Sequence, residues 1–76
     1  MYSENILLAS VEDVKKFVNI VSAYDFNIEL VSGRYVVDAK SIMGIFSLDL
    51  DKPVHMNAET DDESFKAAVA SYVVKD

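Results

Sequence analysis

The chain has no cysteine and no tryptophan, one proline, one histidine and two glycines among its 76 residues. Without cysteine there is no disulfide scaffold and no thiolate chemistry, so a small core must hold the fold unaided, and a reducing compartment is the natural setting. A chain of this length buries only about 60% of its unfolded surface, which suits one domain over residues 1–76 and not two separate cores. Long hydrophobic runs are missing too. No stretch approaches the roughly 18 apolar residues of a membrane span, and Met1-Tyr2-Ser3-Glu4-Asn5 lacks the basic start of a signal peptide. The expectation is a cytoplasmic protein that makes no use of a membrane. Positive charge is also scarce: seven basic residues stand against thirteen acidic ones, for a net charge of −6. The basic residues are scattered from Lys15 to Lys75. Nothing here resembles the cationic cluster that releases counterions from nucleic-acid phosphates, so direct nucleic-acid binding is excluded as an expectation.

What is present is strong hydrophobic periodicity. Ile6-Leu7-Leu8-Ala9 reads as a short buried strand stopped by Ser10, whose hydroxyl suits the N-cap of a helix with Asp13 in its first turn. Val14, Phe17, Val18 and Val21 then fall on one helical stripe, while Glu12, Lys15, Lys16 and Asn19 face elsewhere. After Tyr24-Asp25 the period changes to two, with Phe26, Ile28 and Leu30 alternating with Asn27 and Glu29. Ser32-Gly33-Arg34 is a hairpin turn in which Gly33 supplies positive φ, and Tyr35-Val36-Val37 is the returning strand. Ser41 is placed to cap a short helix ending by Leu48, and Asp49-Leu50-Asp51-Lys52-Pro53 turns the chain. Val54, Met56 and Ala58 alternate with His55, Asn57 and Glu59 as a last strand. Thr60-Asp61-Asp62-Glu63 has capping-box spacing, and Phe65, Ala68, Val69, Tyr72 and Val73 form the stripe of a final helix. The order is β-α-β-β-α-β-α, an α+β two-layer open-faced sandwich with one sheet face covered by helices.

Few residues can carry chemistry. His55, the single histidine, falls on the polar side of its strand, away from any helix start or glycine nest that could hold a phosphate, and reads as an ordinary solvent-facing residue. Asp49, Asp51, Asp61, Asp62 and Glu63 have neither calcium-loop spacing nor a cleft between them, and read as solvated caps and turns. No catalytic residue, cofactor or metal is expected. Ser41 differs because of its neighbours. Ile42, Met43, Ile45 and Phe46 are more apolar groups than a helix of two turns can bury on one side, so part of this set should stay exposed, and methionine suits an adaptable contact surface.

The segment Lys40-Ser41-Ile42-Met43-Gly44-Ile45-Phe46-Ser47-Leu48 resembles, almost letter for letter, the part of HPr that carries its regulatory serine. HPr is the small phosphocarrier of bacterial sugar phosphotransferase systems. The resemblance implies an antiparallel sheet of four strands in the order 1-4-2-3 with three helices on one face. It implies Ser41 as a site of regulatory phosphorylation, Ile42, Met43 and Phe46 as docking contacts, and Lys40 as a flanking charge. The implied partners are proteins: a serine kinase of the HPr type, a transcription regulator of the LacI type, or phosphotransferase components. In HPr the phosphoryl group is carried by a histidine in a His-Ala-Arg-Pro run at the start of the first helix. Counting back from Ser41 without gaps, that position falls at Ser10, followed by Val11-Glu12-Asp13. A serine ester is a poor donor, and Glu12 would repel the phosphate that the arginine steadies. In this respect the chain is similar to Crh, the catabolite-repression paralogue that also lacks the histidine. Two other readings stay open: a phosphocarrier with its site relocated to His55, and an adaptor that uses the Ile42-Met43-Phe46 face without phosphorylation.

Overall fold

In the computed structural model, which describes residues 1–74, helix starts are set by side chains that satisfy orphan amides. Ser10 Oγ accepts from the Asp13 amide and starts α1, Val11–Val21, whose Val14, Phe17 and Val21 are buried. Ser41 Oγ accepts from the Gly44 amide and starts α2, Ile42–Phe46. Asp62 starts α3, Glu63–Val69, by accepting from the Ser64 and Phe65 amides. Hydrogen bonding from the Ser64 side chain first, then from the Ser64 and Phe65 amides, holds the Asp62 carboxyl below its ordinary 3.8. The helix thus begins within Thr60–Glu63 as expected, but no capping box forms: Thr60 Oγ1 accepts from the Asp62 amide and tightens the preceding turn.

The strands are β1 Tyr2–Ile6, β2 Ile28–Ser32, β3 Tyr35–Asp38 and β4 Val54–Ala58. They form one four-stranded sheet in the order β1-β4-β2-β3, every pairing antiparallel. Gly33, at φ 61°, makes the tight turn between β2 and β3, where Ser32 pairs with Tyr35. Alternation sends Ile28, Leu30, Val54, Met56 and Ala58 into the core, which they form with Ile6, Phe17, Ile45, Phe65 and Val69. The opposite sheet face meets solvent with His55, Glu29 and Ser3.

Three expectations are corrected. The first strand is Tyr2–Ile6, not Ile6–Ala9. Its ladder with β4 ends at Ile6 opposite Val54, and the Leu7 amide beyond it is committed to the Tyr72 carbonyl on the other side. Leu8 is nevertheless buried, so the apolar run is core without being strand. Secondly, β2 begins at Ile28. Phe26 instead stacks edge-on against Phe65, with centroids 5.1 Å apart, and lies 5.3 Å from Tyr24. Thirdly, the last helix stops at Val69 and passes through a 3-10 turn, Ala70–Tyr72. Val73 then bridges Ile6, while the Leu7 amide donates to the Tyr72 carbonyl and the Val74 amide to the Asn5 carbonyl. Hydrogen bonds to the outer edge of β1 replace the last helical turn. A helix could not reach that edge.

Candidate functional site

The segment singled out in the sequence forms a connected surface feature around α2. Asp38, at the end of β3, accepts the Lys40 amide on Oδ1 at 2.8 Å and the Ser41 amide on its carbonyl at 3.0 Å. This double hold fixes the chain as it enters the helix, with Ser41 extended and exposed. The serine hydroxyl therefore sits at the helix mouth in contact with both solvent and the Gly44 amide, at 3.2 Å. Gly44 has a packing role. A Cβ there would lie 3.2 Å from Ser41 Oγ and 3.3 Å from Val37 Cβ, so its absence lets the helix approach β3 and receive the cap.

The apolar side chains divide as the crowding argument requires. Ile45 is fully buried and Ile42 half-buried, whereas Met43 is 77% exposed and Phe46 41%. Ser41, Met43 and Phe46 thus share one small exposed region, half-buried Ile42 adjoining it. Ser47 Oγ donates to the Gly44 carbonyl at 2.6 Å and closes the other end of the helix. Lys40 is placed differently from a free flanking charge. Its ammonium donates to the Tyr24 carbonyl at 2.6 Å and ties the α1–β2 connection to the entrance of α2.

Ser10 lies at the opposite job. It is exposed and caps α1, with Glu12 and Asp13 in the first turn, so negative charge already occupies the helix end where a carried phosphate would sit. His55 lies on β4 between buried Val54 and Met56, hence on the solvent face of the sheet and across it from all the helices. Its Nδ1 is 2.9 Å from Asn5 Oδ1. Beside it run Ser3, Asn57 and Glu29, linked by bonds of 2.7 and 3.4 Å, a polar ladder on the open face. The ladder reaches toward Ser41 through Glu29, which stands opposite Asp38 in the register and lines one surface hollow with Asp38, Lys40 and Asn57. Among the described residues no cluster of histidines and carboxylates could hold a metal, and no helix is long and apolar enough to cross a membrane.

Asp38 and Gly44 were not among the sequence candidates. A lone glycine within an otherwise apolar helix was the available signal for the second. For Asp38 there was none, because its role depends on the turn of backbone that follows it.

The element order and the strand order β1-β4-β2-β3 place the chain in a class of small α+β open-faced sandwiches. Residues 13–73 match the family model described as the PTS HPr component phosphorylation site, and the chain belongs to the HPr family. Ser10 lies just before the matched residues. The fold is similar to the crystal structure of HPr-C-His from Thermoanaerobacter tengcongensis, with a TM-score of 0.73 and 28% identity, over 93% of this chain and 89% of that one. No curated protein matches by sequence. Members of this family are phosphocarrier proteins of the phosphotransferase system that work with protein partners, and are not themselves enzymes.

Proposed function

We propose that this protein is a regulatory binding member of the HPr family that has lost the carrier function and is switched by phosphorylation at Ser41. The observation that carries this reading is the pairing of an exposed, capping Ser41 with the exposed Met43 and Phe46 on one five-residue helix. Ile42 extends the contact face, and Lys40 braces its entrance. At Ser10 a hydroxyl replaces the imidazole of the carrier, and Glu12 stands where the carrier motif has arginine. A kinase of the HPr type would transfer the γ-phosphoryl group of a nucleoside triphosphate to Ser41 Oγ. The product gains roughly 1.5 to 2 negative charges and acceptor oxygens that fit a partner's arginine, such as that of a LacI-type regulator. Modified and unmodified forms then select different partners.

Relocation of the carrier site to His55 is disfavoured by its place on the uncovered sheet face, where no helix start or glycine nest faces it. Use of the Met43-Phe46 face without phosphorylation is supported only by the exposure itself. Labelled phosphoenolpyruvate with the general phosphotransferase enzyme should leave the protein unlabelled, and labelled nucleotide with an HPr-type kinase should label wild type but not Ser41→Ala. Acid-labile label on His55 would overturn the proposal, as would kinase label that survives the alanine change.

A further inference from the structure

The two edges of the sheet are treated differently. The outer edge of β1 is covered by Val73 and by the backbone bonds from Val74 and to Tyr72. Among the described residues no strand pairs with the outer edge of β3, although the Ser41 amide bonds the Asp38 carbonyl at its end. Natural edge strands are commonly blunted by shortness, charge, proline or a bulge. β3 is short and ends in Asp38, but it has no lysine, proline or bulge: it reads Tyr35-Val36-Val37-Asp38, in unbroken register with β2. Tyr35 is 65% exposed and Val36 58%, so this edge also presents large apolar side chains.

We infer that β3 pairs antiparallel with β3 of a second copy of this chain, with Val36 opposite Val36 on the two-fold axis. The backbone decides which residues can bond outward. The Ala39 amide donates to the Ile28 carbonyl, so residue 39 faces β2, and strand alternation makes 37 and 35 do the same. Val36 and Asp38 therefore direct their amides and carbonyls away from the sheet. The Asp38 carbonyl accordingly accepts from Ser41, outside the ladder. Only outward-facing residues can form the bonded pairs of a new antiparallel ladder, which leaves three registers on this strand. Setting Asp38 opposite Asp38 puts like charges together. Setting Val36 opposite Asp38 would bring Arg34 opposite Lys40, a like-charge pair. Setting Val36 opposite itself brings Arg34 of each copy opposite Asp38 of the other, two opposite-charge pairs. It also lays each Tyr35 against the other copy's Val37. Charge complementarity thus selects a second copy, in one register.

The strand is four residues long, and each copy carries −6, so the association is weak and needs salt. At physiological ionic strength the repulsion is screened beyond about 8 Å. Sedimentation equilibrium at that ionic strength, from micromolar to millimolar protein, should show a reversible monomer–dimer equilibrium. Val36→Lys and Val36→Glu, at an exposed position, should each weaken it by about tenfold or more, because residue 36 meets its own copy. Circular dichroism should show the monomer fold of both variants unchanged. Mixed one to one, they should recover a heterodimer. A wild type that stays monomeric throughout, a dimer indifferent to either charge, or a mixture that fails to recover would each overturn the inference.

Discussion

At the scale of single residues, three hydrogen-bond acceptors determine where the helices begin, and two of them give distinct tests on substitution. Ser41 Oγ caps α2 through the Gly44 amide. Ser41→Ala should cost about 1 kcal/mol in denaturant titration, whereas Ser41→Asp keeps an acceptor in place and should cost little. The aspartate variant is therefore a clean mimic for binding work. Asp62 adds a pH dependence. Its bonds from Ser64 and Phe65 favour the charged form and lower its pKa from the ordinary 3.8. The contribution is complete at neutral pH and is lost as the pH falls through 3.8 and on through the lowered value. Melting curves from about pH 6 down to about pH 2 should show Asp62→Asn losing less of its midpoint than wild type, since a neutral cap does not titrate. A constant offset between the two across this range would show that the charge is irrelevant.

The elements divide into those that hold the fold and one that faces outward. Phe65 on α3 is fully buried, with Tyr2, Tyr24 and Phe26 against it edge-on at 5.1 to 6.2 Å. Phe17 on α1 is equally buried and meets Tyr72 at 5.6 Å. Either phenylalanine changed to alanine should cost about 3–5 kcal/mol, which largely unfolds a domain of this size. A loss below about 1 kcal/mol would contradict the packing. Met43, on the exposed side of α2, should behave in the reverse way. Met43→Ala should leave stability within about 0.5 kcal/mol of wild type and weaken every partner that uses this face. Ser41→Asp should weaken only partners with an apolar docking surface, because burying the new charge costs more than it returns there, and should favour those that supply arginine. Isothermal titration against partners recovered by pull-down separates the cases. Partners indifferent to both changes would remove α2 from the binding surface.

These elements were not equally legible in the sequence. The α1 stripe and the caps at Ser10 and Ser41 depend on neighbours three or four residues away, so the pattern contained them. The exposure of Met43 followed from counting apolar groups against the area of a short helix. The bounds of β1 were hidden because they are set by pairing with β4, from Tyr2 opposite Ala58 to Ile6 opposite Val54, far along the chain. The unwinding after Val69 was hidden for the same reason: Tyr72, Val73 and Val74 bond to Asn5, Ile6 and Leu7. The hold of Lys40 on the Tyr24 carbonyl is likewise a contact that no local pattern encodes.

For the whole molecule, the sheet order decides the timing of assembly as well as its shape. β2 and β3 are joined by a tight turn at Gly33 and can pair within microseconds. β1 must find β4 from far along the chain, as in the bond between Ser3 and Asn57, 54 residues apart. Such non-local closure raises the contact order and slows folding relative to a helical bundle of equal length. The β2–β3 hairpin should therefore be formed in the transition state, and β1 should dock after it. In stopped-flow chevrons, Leu30→Ala on β2 should slow folding, while Ile6→Val on β1 should mainly speed unfolding. The reverse assignment would refute this order. β1 is then the strand that leaves first when the native state opens, and its amides should exchange with solvent deuterium sooner than those of Leu30 and Met56.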